Sequence, residues 1–260
     1  MEERKLINRD RVRKTFADYT DSYNSSDIKI KLKIDHTYRV AEIADRIAVS
    51  LNMSDEDRDV AWLLGMLHDV GRFEQLRRYN TFVDRDSIDH AALSADILFE
   101  EGRIRDYIDD SSEDELIEKA IRLHNVYILP ENLTERERTF TDLLRDADKA
   151  DILKVNCDIP LNEIYGCSMD EYKKSAISDH VLEDALAQRN VDRNYAKTPA
   201  DKLVSTISFI YGVVYAESFR IIEEQGYLNE MMSFASENKD TVDKLKKIKT
   251  CVSDYMTKRM

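Results

Sequence analysis

Apolar residues recur every three or four positions through most of this sequence, and that spacing is what most limits how the chain can fold. One such row is His36, Val40, Ile43, Ile47 and Leu51. Residues at these steps share one face of an α-helix, so the row predicts an amphipathic helix with a histidine near its N-terminal end. The 260 residues include only 6 Gly and 3 Pro, the residues that most often interrupt helices. The sequence therefore predicts an all-α fold.

A second helix is predicted to begin after Ser54, a residue type that caps helix N-termini. Its apolar row is Val60, Leu64, Leu67 and His68. His68 should therefore be buried, with Asp69 directly after it and Gly71 as a residue that can stop the helix. A buried carboxylate needs a cation or hydrogen-bond donors, because an unpaired buried charge is very costly. An isolated His-Asp pair is commonly a core histidine next to a helix-end acid. Whether this pair binds a metal therefore depends on the other residues of the chain.

Two further histidines lie on apolar helical faces. His90 comes after Asp89, a candidate N-cap, on a predicted helix that Gly102 closes. His124 lies at the end of a helix predicted over residues 113–125. One histidine on an apolar face is more often a core residue than a ligand. Four on successive amphipathic helices are hard to explain by packing alone.

Inward-facing acids form the next pattern. Thr134 and Glu137 have the spacing of a capping box and open a helix predicted to run to about Val155. Asp148 continues the apolar row of this helix and is predicted to point inward. Asp146 lies roughly 200° around the helix from that row and is predicted to face away.

The charge balance restricts the partners. With 39 Lys and Arg against 52 Asp and Glu, the formal net charge is −13. A long nucleic acid is not an expected partner, because its binding depends on basic residues. Arg72, Arg77 and Arg78 form a local basic cluster that suits a small anion. Arg72 is predicted to face a ligand, whereas the other two could equally be a solvated helix end that opposes the helix dipole.

Other features concern the setting of the protein. Cys157, Cys167 and Cys251 show no CxxC spacing, which favours reduced thiols in a cytoplasmic protein. No signal peptide is expected, because residues 1–5 lack the apolar core of one. No membrane span is expected, because the longest apolar stretch, residues 203–216, is short and interrupted by polar residues. The segment 200–223 is predicted to be buried on more than one side. It could complete the bundle or form the surface of a homodimer.

The candidate ligands together suggest a metal centre. They are His36, His68, Asp69, His90, His124 and Asp148. Imidazole and carboxylate groups without thiolates suit a divalent transition metal, and Fe, Mn, Zn, Co and Ni all fit. Four ligands from His36, His68, Asp69 and Asp148 would leave positions open for water and substrate, as in catalytic sites. His90 and His124 could hold a second ion, with Asp69 bridging the two.

The order His, His-Asp, Asp resembles the HD superfamily of metal-dependent phosphohydrolases. The local sequences that carry the resemblance are His36-Thr37-Tyr38-Arg39-Val40, Leu67-His68-Asp69-Val70-Gly71-Arg72 and Asp146-Ala147-Asp148-Lys149. The resemblance implies a helical bundle over residues 31–156. Outside the resemblance, the sequence pattern predicts a helical lead-in of residues 1–30 and a helical C-terminal region of residues 157–260. It implies that His36, His68, Asp69 and Asp148 bind a first ion. His90 and His124 match the positions that hold a second ion in two-metal branches.

The resemblance also implies an activity, the hydrolysis of a small phosphate-containing substrate such as a nucleotide by metal-activated water. Asp69 would orient the nucleophile, and Arg72, with Arg77 or Arg78, would bind the phosphoryl group. Two branches fit less well. The cyclic-dinucleotide phosphodiesterases have a further His where this chain has Asn125, and they have a Gly-Tyr-Pro motif that this chain lacks. The nucleoside-monophosphate phosphatases have a Glu where this chain has Arg72. The general acid is open among Glu74, Lys149 and a metal-bound water. The alternatives are an HD-type di-iron oxygenase and a regulatory module with a vestigial site.

Overall fold

A computed structural model describes residues 7–24, 26–192 and 194–260. Over these ranges the chain contains helices and no strand, which confirms the all-α prediction. The α-helices are α1 (Arg9–Thr20), α2 (Ile28–Ser50), α3 (Asp55–Leu67), α4 (Val70–Tyr79), α5 (His90–Ala95), α6 (Ile104–Tyr107), α7 (Asp114–Leu123), α8 (Glu135–Asp158), α9 (Leu161–Tyr165), α10 (Met169–Lys174), α11 (Asp179–Leu186), α12 (Pro199–Ile207), α13 (Ala216–Gln225), α14 (Tyr227–Met232) and α15 (Lys239–Thr257). Short 3-10 turns lie at Asp84–Asp86 and Ser208–Gly212, and a π-helical turn continues α5 at Asp96–Glu100.

The chain divides into two compact units, Met1–Asp148 and Lys149–Met260, and the boundary falls inside α8. The division of the sequence at residues 30 and 156 stays a prediction. Residues 1–6 and Ser25 of the predicted lead-in lie outside the described residues.

The first unit is built around the pair α2 and α3. Gly65 of α3 lies against the backbone of α2, and a Cβ at this position would be 2.5 Å from Ala41 Cα. Trp62, Leu63, Leu64 and Leu67 of α3 are fully buried. Ser54 caps α3 as predicted, since its hydroxyl accepts a hydrogen bond from Asp57 N at 3.1 Å. This close packing fixes the end of α3, where His68 and Asp69 lie.

Gly71 does not stop a helix, and that prediction is wrong. The helix α3 ends at Leu67, and Gly71 is the second residue of α4. A Cβ on Gly71 would be 2.6 Å from Ser94 N and 2.8 Å from His90 O. The glycine therefore serves the close approach of α4 to α5, which a one-dimensional reading as a helix stop could not reveal.

The helix α8 begins with the predicted capping box. Thr134 N donates to Glu137 Oε2 at 2.8 Å, and Glu137 N donates to Thr134 Oγ1 at 3.2 Å. Asp146, predicted to face away, is fully buried, so that prediction is wrong. The reason is that α8 is buried on more than one side, with Leu143 and Ala147 also fully buried.

The second unit packs α11 and α12 with α14 and α15. The buried carboxylate of Asp201 accepts hydrogen bonds from Ser178 N and Ser178 Oγ, at 2.7 and 2.8 Å, and joins the start of α11 to α12. The segment 200–223 contains α12 and the start of α13, separated by the 3-10 turn and an extended Val213. Among the described residues, no helix combines the length and apolar character needed to span a membrane.

Candidate metal centre

Six side chains from five helical segments of the first unit converge on one buried place. His36 lies on α2, His68 follows the last residue of α3, and Asp69 precedes α4. The others are His90, Asp148 and His124, which lie at the first residue of α5, inside α8 and directly after α7. These are all six residues named from the sequence as candidate ligands. Their role as ligands stays a prediction, but the structure brings them together.

His36, His68 and Asp148 cluster around Oδ2, one of the two carboxylate oxygens of Asp69. Asp69 Oδ2 is 3.6 Å from His36 Nε2 and 3.6 Å from His68 Nε2. Asp148 Oδ1 is 3.2 Å from His36 Nε2 and 3.7 Å from His68 Nε2. Two histidines and two carboxylates thus enclose a small space, the first half of the centre.

The other oxygen of Asp69 faces the remaining two histidines. Asp69 Oδ1 is 3.6 Å from His90 Nε2 and 3.9 Å from His124 Nε2, and the two nitrogens are 3.0 Å apart. These three groups form the second half of the centre. Asp69 lies between the halves and offers one oxygen to each.

Hydrogen bonds behind the rings decide which nitrogens face the centre with a lone pair. His68 Nδ1 lies 2.9 Å from Gly65 O, and His124 Nδ1 lies 2.7 Å from Ile121 O. A carbonyl oxygen only accepts, so each Nδ1 carries the hydrogen in the neutral ring and each Nε2 has a lone pair. His90 Nδ1 lies 2.6 Å from Asp84 Oδ2, which favours the same tautomer.

The pKa values of the histidines differ between the two halves. Burial lowers the pKa of His124 to about 3, and the nearby His90 and His68 act in the same direction. Burial, with Arg72, also lowers the pKa of His90. Burial alone would lower the pKa of His68, but the carboxylates of Asp69 and Asp148 more than offset it and raise that pKa. His90 and His124 are therefore neutral near pH 7, as metal binding requires.

The carboxylates are held in the ionised form. Burial would raise the pKa of Asp69, but Lys33, His68 and Arg72 outweigh burial and bring it well below its usual value. Burial would likewise raise the pKa of Asp148, but the nearby His36 and His68 outweigh burial and bring it well below its usual value. Both groups are thus available as anionic ligands.

The arrangement fits divalent metal ions. Ligand atoms about 2.1 Å from one ion are about 3.0 Å apart at a right angle and about 3.4 Å apart at the tetrahedral angle. The separations given above run from 3.0 to 3.9 Å. Within the described part of the chain, His68 Nε2 and Asp69 Oδ1 are buried and make no hydrogen bond. The facing lone pairs of His90 and His124 also need a cation between them, so either half could hold an ion.

Two residues next to the centre were missed from the sequence. Lys33 Nζ donates to Asp69 Oδ2 at 2.7 Å, and Asp84 contacts His90 as described. Lys33 precedes His36 by three residues, so helical spacing alone could have placed it on the same face. Asp84 lies in the irregular connection between α4 and α5, where no periodic signal points to a partner.

Arg72 lies beside the centre but is engaged with the protein. Its Nη1 donates to Gln75 Oε1, Phe82 O and Asp84 Oδ1, at 2.8, 2.7 and 2.9 Å. Its Nε is 3.6 Å from Asp69 Oδ1. Substrate binding by Arg72 stays a prediction, and the structure adds a second role, since Arg72 ties the connection between α4 and α5 to Asp69.

Arg77 and Arg78 pair with Glu74 on α4. Arg77 also lies over the ring of Tyr23, 5.1 Å from its centroid. Their side chains are 58 and 46% exposed. These contacts fit the interpretation of Arg77 and Arg78 as a solvated helix end. Substrate binding by these two arginines stays a prediction.

Comparison with known proteins gives one match. The family model of the HD domain matches residues 34–156, a segment that contains all six converging side chains. No curated protein and no solved structure matches the chain.

Proposed function

We propose that the chain, whose residues 34–156 match the family model of the HD domain, is a metal-dependent phosphohydrolase that acts on a small phosphate ester, with nucleotides the first class to test. The observation that carries the proposal is Asp69, which offers one oxygen to His36 and His68 and the other to His90 and His124. A carboxylate between two sets of imidazoles is the arrangement of a bridged dinuclear centre.

Two cationic side chains next to Asp69 support an anionic substrate. Lys33 and Arg72 approach opposite oxygens of this carboxylate, and both lie 5.7 Å from the centroid of the Phe82 ring. Their side chains are only 12 and 14% exposed. Because charges attract more strongly in such partly dehydrated surroundings, both cations favour a phosphoryl group at this edge of the centre.

Each residue then has a role in the proposed reaction. His36, His68, Asp69 and Asp148 would hold one ion, and Asp69, His90 and His124 a second. When bound, divalent ions lower the pKa of water and polarise a phosphoryl oxygen. Asp69 orients the attacking water by accepting its hydrogen bond, and Lys33 stabilises the negative charge on the phosphoryl group. The burial of the histidines excludes bulk water from the reacting atoms.

The first experiment is elemental analysis of protein purified without chelator, with phosphate release from a nucleotide panel scored on the same samples. We expect two ions per chain in the wild type and one in His90→Ala, with phosphate release reduced at least tenfold in the variant. His180→Ala is the matched control, because this fifth histidine is exposed and lies in the second unit.

Three results would contradict the proposal. One ion in both the wild type and His90→Ala would leave the second half of the centre without a metal function. Absence of metal from protein purified under these mild conditions would favour the regulatory module. Iron-dependent oxygen consumption without phosphate release would favour the oxygenase.

A further inference from the structure

The connection between α4 and α5, residues 80–89, is fixed by an inward-facing polar network. Gln75 is fully buried, and its Nε2 lies 2.9 Å from each of Asp84 Oδ1, Ser87 Oγ and Ile88 O. Arg72 adds hydrogen bonds to Phe82 O and to Asp84. Two residues of α4, Arg72 and Gln75, thus hold the Asp84 side chain in one place.

Asp84 divides its two oxygens between this network and the centre. Oδ1 accepts from Arg72 and Gln75, whereas Oδ2 lies 2.6 Å from His90 Nδ1. An Nδ1–H that donates to a carboxylate leaves the Nε2 lone pair of the same ring free, and it also fixes the ring's orientation. That Nε2 is the atom 3.6 Å from Asp69 Oδ1 and 3.0 Å from His124 Nε2.

The ring of His90 is oriented by a side chain, whereas the rings of His68 and His124 are oriented by backbone carbonyls. His68 and His124 are each oriented by a carbonyl one turn earlier in their own helix, at Gly65 and Ile121. His90 is the first residue of α5, so no earlier turn of its helix offers a carbonyl. Its orientation comes from a side chain six residues before it, across a 3-10 turn.

We infer that Asp84 is a positioning residue for the second metal ion, which it controls by holding His90 in the metal-binding tautomer and orientation. The inference rests on the proposed function, in that it requires a second ion. Arg72 then acts in part through Asp84, as a support for the connection, in addition to any contact with substrate.

The same group of atoms does not itself form the ion site. Asp84, Asp89 and His90 lie close enough to hold a cation. However, Asp89 Oδ1 already accepts from Ala91 N, Ala92 N and Asn125 Nδ2, at 2.9, 3.2 and 2.8 Å. Because His90 Nδ1 carries a hydrogen towards Asp84, it has no lone pair for an ion there.

The test is a titration of chelator-stripped protein with Mn²⁺, in which electron paramagnetic resonance counts the free ion and detects a coupled Mn–Mn pair. Wild type should bind two ions. Asp84→Ala should bind the first ion as wild type does and the second about 10–100-fold more weakly, with the coupled-pair signal lost at equal metal. Asp84→Asn should lie between, because an amide oxygen still accepts from His90 but carries no charge.

Two control variants distinguish the loss of the contact with His90 from a general change in the structure or the charge of the connection. Ser87→Ala removes a partner of Gln75 and of Val83 O without touching His90. Asp86→Asn removes an exposed acid of the same connection. Both should keep two ions and the coupled signal. Retention of the first ion in Asp84→Ala shows that the variant is folded.

The outcomes are distinct. Second-ion affinity at the wild-type level in Asp84→Ala, or an equal loss in Ser87→Ala, would overturn the inference and leave the proposed function standing. A third ion in the wild type that Asp84→Ala removes would make Asp84 a ligand and also overturn it. A single ion in the wild type would contradict the dinuclear centre, and the role of Asp84 with it.

Discussion

At the scale of single residues, Glu74 illustrates how its surroundings restrict a chemical role. It is 5% exposed and pairs with Arg77 and Arg78, and Tyr23 Oη donates to it at 3.2 Å. Burial alone would raise its pKa, but the two arginines more than offset this effect and lower it. A general acid needs a raised pKa to carry a proton near neutral pH. Glu74 is therefore poorly suited to that role.

Replacing this carboxylate should have a pH-dependent effect on stability. At pH 7, Glu74→Gln should lower the free energy of unfolding by about 1 kcal/mol, because the arginines are half exposed. A lowered folded-state pKa stabilises the fold fully above the unfolded value of roughly 4.5, and this contribution is lost as the pH falls through the folded value. Urea unfolding at pH 7, 5 and 3.5 should show the difference shrinking below pH 4.5. A difference that is constant or grows with acidity would contradict the assignment.

Gly71 supports a prediction about packing. Its amide donates to Ser94 Oγ at 2.9 Å, and a Cβ would overlap backbone atoms of α5. Backbone cannot move aside as a flexible side chain can, so Gly71→Ala should lower the free energy of unfolding by about 1–3 kcal/mol. Denaturant unfolding measures this value. The double variant with Ser94→Ala should recover only part of the loss, because Ser94 N and His90 O remain in the way.

At the scale of helices, local signals in the sequence predicted most of what the structure contains. Ser54, Asp89 and the Thr134–Glu137 pair act as caps within one turn of their partners. Helical periodicity likewise placed the four histidines on buried faces, because burial repeats with the helix.

What could not be predicted depends on contacts distant in sequence or without period. Lys33 meets Asp69 across 36 residues, and Asp84 approaches His90 through a non-periodic turn. Gly71 and Asp146 were misjudged for a related reason. A single helix does not reveal how many neighbours surround it, so an extra buried face or a close helix crossing has no signature in one row of residues.

Ser54 caps α3, the helix that ends directly before His68 of the centre. Ser54→Ala removes the acceptor for Asp57 N and should destabilise the fold by about 1 kcal/mol, while Ser54→Asp should retain most of the stability. Trp62, the one tryptophan of the chain, is fully buried on α3 and reports the unfolding by its fluorescence. If Ser54→Ala unfolds at the wild-type urea concentration, the hydrogen bond at this cap contributes nothing to stability.

At the scale of the whole molecule, the centre should act as a cross-link among helices that are far apart in the chain. The six side chains come from α2, the α3–α4 junction, α5, the end of α7 and α8. Two carboxylates and four imidazoles converge there, so the metal-free fold must hold the charges of Asp69 and Asp148 with Lys33, Arg72 and the histidines. An ion that binds the folded chain and not the unfolded chain stabilises it by about 2.7 kcal/mol at 100 times its dissociation constant.

We therefore expect a chelator to lower the melting temperature of the first unit, by roughly 5–10 °C, given about 2–4 °C per kcal/mol for chains of 150–250 residues. Trp62 fluorescence during heating reports this unit, because the residue lies on the helix that leads into His68 and Asp69. Re-adding Mn²⁺ should restore the melting temperature of the wild type. It should not do so for Asp148→Asn, in which the first half of the centre loses an anionic ligand, whereas His180→Ala should respond as the wild type does. Equal melting temperatures with chelator and with Mn²⁺ would mean that no ion bridges these helices, because a ligand of the folded state alone must raise the temperature at which it unfolds.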